Sequence, residues 1–134
     1  MYFQKGDETM NLDFNDKMPI YLQIMDLIKM DIVTGKLRSK DKLPSVREMA
    51  INLKVNPNTL QRAYQELERL GILYTQRGTG TFVEEEKNMV DDLKKEMAKE
   101  VIDSFILRMK SLGFTTTEII KSISNETMEV KRDE

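Results

Sequence analysis

Residues 43–83 read LPSVREMAINLKVNPNTLQRAYQELERLGILYTQRGTGTFV, and the punctuation of this stretch decides the fold. Ser45-Val46-Arg47-Glu48 has the form of a capping box. The serine hydroxyl accepts from the Glu48 amide while the glutamate reaches back to the Ser45 amide. The helix it opens carries Met49, Ala50 and Leu53 on one inward face. Only Lys54-Val55 separates it from a second cap, Asn56, with Pro57 at the first helical position. The next helix spans 57–70 and is closed by Gly71. Ile72-Leu73-Tyr74-Thr75 and Thr81-Phe82-Val83 then read as strands around Gln76-Arg77-Gly78-Thr79-Gly80. Glycine gives that tip its positive φ and lets backbone approach a phosphate closely. Two helices across a tight turn, followed by a hairpin, predict a winged helix-turn-helix.

The helix over 57–70 has two unlike sides. With Leu60 at zero and about 100° per residue, Tyr64, Leu67 and Ala63 fall within about 60° of it and form the core side. Asn58, Arg62, Gln65 and Arg69 fall near the opposite side, with Gln61 and Thr59 on its edges. Glu and Lys normally dominate a solvated helix face, yet none stands on the first two turns before Glu66. Asn, Gln and Arg are the side chains best able to read base edges through paired hydrogen bonds, and a helix so presented fits the major groove of DNA.

Working outward, Pro19 is placed to start a first helix ending near Thr34, with Gly35 as its cap. Ile20, Ile24, Leu27 and Ile28, with Tyr21, Met25 and Ile32, recur at helical spacing and predict one wide buried face. Lys36, Arg38, Lys40 and Lys42 make the following loop basic. Residues 1–11 are weakly patterned, and Tyr2-Phe3-Gln4 resembles a protease-site remnant of a tag. That stretch is expected to be disordered or tag-derived, which leaves 12–83 as the winged domain.

After the wing, Glu84-Glu85-Glu86 marks a boundary. A long helix over 88–112 follows, with Val90, Leu93, Met97, Val101, Phe105, Met109 and Leu112 in one stripe widened by Ile102 and Ile106. Gly113 ends it, and Thr115-Thr116-Thr117-Glu118 is a second capping box. Ile119, Ile120 and Ile123 line a short last helix, and residues 129–134 are expected to fray. A segment spanning 84–128 is too short to bury such a stripe alone. It is expected to pair two copies of the chain in a two-fold dimer through Leu93, Met97, Val101, Phe105, Met109, Ile119 and Ile123. The alternative is an intramolecular cap over the winged domain. The expected class is therefore mainly α (α+β), a winged helix-turn-helix with a C-terminal two-helix dimerisation segment.

Composition bounds the function. The chain has 134 residues, no Cys and no His. That removes disulfides, thiolate chemistry, the commonest general base and the commonest transition-metal ligand. Asp91-Asp92 and the Glu84–Glu86 run read as solvated charge, so no enzyme, metal or cofactor is expected. No apolar run approaches the ~18 residues of a membrane span. With a polar start and no cysteine, the expected location is the cytoplasm. Net charge is −2, but it is unevenly spread. Residues 36–82 hold nine Lys/Arg against four Asp/Glu, residues 1–35 three against six, and residues 83–134 nine against thirteen. A basic middle between acidic ends fits a nucleic-acid-binding module with a separate assembly segment.

Pro44-Ser45-x-Arg47-Glu48-x-Ala50, Asn56-Pro57-Asn58-Thr59-x-x-Arg62-Ala63-Tyr64-x-x-Leu67, Gly71-Ile72 and Arg77-Gly78-x-Gly80-x-Phe82-Val83 resemble the GntR family of bacterial transcription regulators. The match covers 19–83, and the short two-helix tail is similar to the YtrA subfamily, whose tail serves dimerisation. The resemblance implies that Arg47 contacts DNA, that Asn58, Thr59, Gln61 and Arg62 sit at recognition-helix positions, and that Arg77 and Gly78 form the wing tip in the minor groove. Many family members carry Arg where this chain has Pro57 and Gln61, so their base preference does not transfer. Members of the subfamily often repress ABC-transporter operons.

The sequence thus predicts a homodimeric repressor of a small operon. Its operator would be palindromic double-stranded DNA with half-sites roughly 34 Å apart. Lys40, Lys42, Arg47 and the wing residues Arg77, Gly78 and Thr79 are expected to position it and Asn58, Gln61, Arg62 and Gln65 to read bases, with Ser45 and Thr59 also on the DNA-binding surface. No effector is identifiable. The rival reading is a winged-helix protein-interaction module that never binds DNA.

Overall fold

A computed structural model describes residues 14–15 and 17–133; the expected disordered or tag-derived stretch 1–11 lies outside them. The elements in order are α1 (Ile20–Val33), α2 (Val46–Leu53), α3 (Pro57–Arg69), β1 (Leu73–Gln76), β2 (Gly80–Val83), α4 (Met89–Ser111) and α5 (Thr116–Asp133). Among the described residues no helix is long and apolar enough to cross a membrane.

Local chemistry sets the helix ends. Ser45 Oγ accepts from the Glu48 amide at 3.1 Å, and the Glu48 carboxylate accepts from the Ser45 amide at 3.3 Å. Lys54 closes α2 in the left-handed region (φ 57°), which lets the chain reverse within two residues. Asn56 then caps α3 by accepting from the Asn58 amide at 2.8 Å. At α1 the expectation shifts by one residue. Pro19 is the cap, with ψ 137°, and Ile20 begins the helix. The Pro19 carbonyl still accepts from Leu22 and Gln23.

α3 packs on α1, α2 and β1, so the core gathers around it. Ile24, Ile28 and Ile32 of α1, Met49 and Leu53 of α2, Leu60, Ala63, Tyr64 and Leu67 of α3, and Leu73 and Val83 of the hairpin are all buried. Each such aliphatic side chain contributes about 1.5–3 kcal/mol by leaving water. The buried face of α1 is narrower than its spacing suggests, since Ile20 is exposed and Tyr21 and Leu27 are half-buried. Burial pushes the Tyr64 hydroxyl above its usual range, and the Glu48 carboxylate adds to the shift. The hydroxyl therefore stays a donor. It bonds the Pro44 carbonyl at 2.7 Å and the Met49 sulfur at 3.0 Å, fixing α3 to the entry of α2.

β1 and β2 are antiparallel, pairing Leu73 with Val83, Tyr74 with Phe82, Thr75 with Thr81 and Gln76 with Gly80. The Tyr74 and Phe82 rings stack with centroids 5.5 Å apart. The segment expected as a basic loop lies along the other edge of β2. The Lys40 amide donates to Val83, the Val83 amide to Asp41 and the Leu43 amide to Thr81, all at 2.8–2.9 Å, with an antiparallel bridge between Lys42 and Phe82. Three residues rich in charge carry no strand pattern. Unpaired backbone groups on an open edge recruit them regardless.

The chain divides into two compact units after Leu93, ten residues later than the acidic run suggests. Glu84 is still tied to the hairpin through its amide, which donates to Ile72 at 2.9 Å, and Met89 and Leu93 are buried. The second unit comprises the rest of α4 and all of α5. Gly113, at φ 95°, ends α4, and the Phe114 amide donates back to Met109. The Glu118 amide donates to Thr115 Oγ1 at 3.2 Å, and the Glu118 carboxylate accepts from the Thr115 amide at 2.9 Å. α5 continues through Asp133, so the tail expected to fray beyond residue 128 is helical. No glycine or proline follows Gly113, and Glu129, Lys131 and Arg132 belong to helix-favouring residue types.

Candidate nucleic-acid interface

The exposed side of α3 carries Asn58, Gln61, Arg62 and Gln65. Its position follows from the core: Leu60, Ala63, Tyr64 and Leu67 face inward, which turns these residues out. Among the described residues, the side chains of Asn58, Gln61 and Gln65 make no hydrogen bond, so their donors and acceptors are available. Thr59, expected beside them, is half-buried. Farther along, Arg69 gives Nε and Nη2 to the Glu66 carboxylate at 3.0 and 2.9 Å and is occupied.

Arg62 differs from a freely solvated arginine. Its guanidinium carbon lies 3.8 Å from the centre of the Tyr21 ring on α1. No sequence signal joins positions 41 residues apart, and tyrosine among the apolar residues of a helix reads as core.

A groove of about 430 Å³ runs between the start of α2 and the wing, lined by Lys42, Ser45, Glu48, Gln76, Gly78 and Thr79 among others. It brings together four of the residues expected to bind DNA: Lys42, Ser45, Gly78 and Thr79. Arg47 is exposed in the first turn of α2, and Arg77 is exposed at the hairpin tip. The tip is a short turn in which the Thr79 amide donates to Gln76 at 2.9 Å and Gly78 takes φ 80°. A side chain on Gly80 would start 2.7 Å from Lys42 Cε, near the movable end of the lysine, and it is the φ of 138° at this position that favours glycine. Thr75 ties the wing to α3 by donating its hydroxyl to the Glu68 carboxylate.

Lys40 sits apart from that groove's lining. Its φ is 71°, and its ammonium pairs with Glu85 at 3.1 Å, both side chains being largely exposed. Glu85 belongs to the acidic run read as a boundary, and Glu48 lines the groove. Both acids temper the positive charge of the surface.

Of the residues expected to pair two copies, Leu93 and Ile119 are 5% and 4% exposed within the single chain and add nothing to an open face. Met97 and Met109 are half-buried, while Val101, Phe105 and Ile123 are exposed. Val101, Phe105 and Met109 line a shallow apolar groove of about 550 Å³ with Ser104 and Arg108 of α4 and Leu112 just beyond its end.

Residues 20–83 match the family described as bacterial regulatory proteins, gntR family. The chain is 51% identical over 118 residues to the uncharacterised helix-turn-helix regulator YhcF of Bacillus subtilis, covering 88% of this chain and 98% of that protein. It is 37% identical over 121 residues to the transcriptional repressor YtrA of the same organism, covering 90% and 93%. A GntR family regulator from Listeria monocytogenes has a solved structure with TM-score 0.77 and 46% identity, covering 84% of this chain and 98% of that one. The DNA-binding domain of AraR, solved in complex with operator ORX1, matches with TM-score 0.50 and 30% identity, covering 54% of this chain and 92% of that one.

Proposed function

The chain belongs to the gntR family of bacterial regulatory proteins, and from that premise we propose that it is a homodimeric, sequence-specific DNA-binding repressor. The observation that carries this reading is the outward side of α3, where Asn58, Gln61 and Gln65 keep their side-chain donors and acceptors unspent. Buried or paired amides could not read base edges; these can. In each copy α3 enters the major groove. Arg47 and the groove formed by Lys42, Ser45, Gly78 and Thr79 take the flanking phosphates, and Arg77 reaches the minor groove at the wing tip. Lys40 joins the phosphate contacts when it leaves Glu85. The operator-bound AraR domain, similar over about half of this chain, supports a DNA partner.

The apolar face of α4 around Val101, Phe105 and Leu112 supports pairing of two copies, since Val101 and Leu112 are about 70% exposed in the single chain and such a face is costly in water. Two copies imply a palindromic site with half-sites roughly 34 Å apart. The likeness to a protein named as a repressor supports repression; a small operon as the target, ABC-transporter genes as first candidates and the cytoplasm as the location complete the proposal.

Selection of bound sequences from random duplexes by the purified protein tests the whole reading at once. The expected product is a two-fold symmetric motif. Arg62→Ala is expected to weaken binding to it by ~1–3 kcal/mol and to relax one base position. Enrichment of no sequence, with a protein partner recovered instead, would establish the interaction-module reading.

A further inference from the structure

Two arginines of α3, Arg62 and Arg69, occupy its outward side and meet different fates. Arg69 spends Nε and Nη2 on Glu66. Arg62 forms no ion pair among the described residues, and its guanidinium carbon lies 3.8 Å from the Tyr21 ring centre. That separation seats the guanidinium over the face of the ring at van der Waals distance. A guanidinium stacked on a ring uses its face, whereas its five N–H donors lie in its plane and point outward from the rim. Stacking therefore fixes the plane of Arg62 and leaves its donors free. Tyr21 is held in turn by α1, which packs on α3 and has Ile24, Met25 and Ile28 buried.

We propose that Tyr21 is a positioning residue for base recognition. Its ring holds the Arg62 guanidinium in one plane, from which two rim donors meet the paired acceptors of a guanine edge in the major groove. The inference rests on the DNA-binding reading above. It adds a residue of α1, outside the two helices of the helix-turn-helix, to the specificity of the protein. A free arginine would have to lose side-chain freedom on binding, whereas an arginine already laid on a ring has lost part of it beforehand.

The test measures affinity of the full chain for its selected duplex and for duplexes altered at each single pair. The proteins compared are the wild type, Tyr21→Leu, Tyr21→Phe, Arg62→Ala and the double variant Tyr21→Leu/Arg62→Ala. One G·C pair is expected to lose its preference in Arg62→Ala. Tyr21→Leu is expected to reduce preference at that same pair by about 2–5-fold, the worth of an exposed cation–π contact. Tyr21→Phe keeps the ring and is expected to keep the preference, and the double variant is expected to match Arg62→Ala at that pair. A merely structural role for Tyr21 predicts equal weakening on every duplex, which would overturn the proposal. Unchanged preference in Tyr21→Leu would overturn it too, as would tighter binding, which would mean that the ring parks Arg62 away from DNA. Should Tyr21→Leu fail to fold, Arg62→Lys supplies charge without a plane, and retained preference at that pair would overturn the proposal. Failure of the wild type to select any sequence defeats the DNA-binding reading itself. Selection by the wild type with no pair sensitive to Arg62 defeats this inference alone.

Discussion

The two compact units use apolar residues in opposite ways. In the first, Ile24, Ile28, Leu60, Leu67 and Val83 are fully shielded within one chain. In the second, the comparable residues Val101, Ile102, Leu107, Leu112 and Ile120 remain more than half exposed, and among the described residues of α5 only Ile119 is buried. The first unit encloses its core because two helices and a hairpin pack around α3. Two helices cannot surround anything, so periodicity alone leaves a face open. The winged unit closes over its apolar residues within one chain, and the helical pair leaves an apolar face open.

Mutations can break this contrast at either end. The largest expected effect is in the first unit, where Leu60→Ala removes a side chain with no exposure and should cost about 2–5 kcal/mol in denaturant unfolding. Val101→Ala in the second unit should cost far less when measured on dilute monomer, and equal losses would erase the distinction. Next comes Phe105→Glu, which places a charge on the α4 face. Sedimentation should show the proposed dimer dissociating at least about tenfold more readily, from the cost of burying an unpaired carboxylate, while unfolding of the winged unit stays where it was. A dimer indifferent to this change would assign the face to another purpose. Ser45→Ala removes one half of the α2 capping box and should cost about 1 kcal/mol, read by the same denaturant titration.

The smallest effect concerns the other capping box and acid. Hydrogen bonds from the Thr115 backbone and side chain hold the Glu118 carboxyl below its usual value. A depressed carboxylate stabilises the fold at neutral pH, and that contribution disappears as pH falls through the folded-state value. Because Glu118 is exposed, only a slight loss of helicity in α5 is expected on acidification. Glu118→Gln should remove that pH dependence, and an unaltered acid profile in the variant would show that the box plays no part in it.

What could be read from sequence was whatever chemistry acts over three or four residues. Both capping boxes, the Asn56 cap and the inward set Leu60, Ala63, Tyr64 and Leu67 are of this kind, and the structure contains each. What escaped depends on parts of the chain that meet only after folding. Asp41–Leu43 becomes an edge of the sheet because β2, some 40 residues later, has backbone groups to share. The stripe on α4 is continuous by spacing, yet Leu93 is buried and Val101 is not, since spacing says which side faces a neighbour and nothing about where the neighbour stops. The Arg62–Tyr21 stack escaped for the same reason. Helix angles placed Arg62 outward correctly and could not reveal a ring from α1 waiting beside it.

The Lys40–Glu85 pair has a consequence for ionic strength. A lysine that meets a phosphate displaces one condensed cation from DNA, and each such contact steepens the fall of affinity with salt by roughly 0.9 in logarithmic slope. In the proposed complex Lys40 would come to DNA from an exposed pair with a carboxylate of its own chain. Seating it on phosphate sends Glu85 back to water, where it gathers mobile cations, so part of the counterion release is repaid. The measured slope should therefore undercount the lysines touching DNA, and Glu85→Gln should make it steeper while tightening binding at low salt.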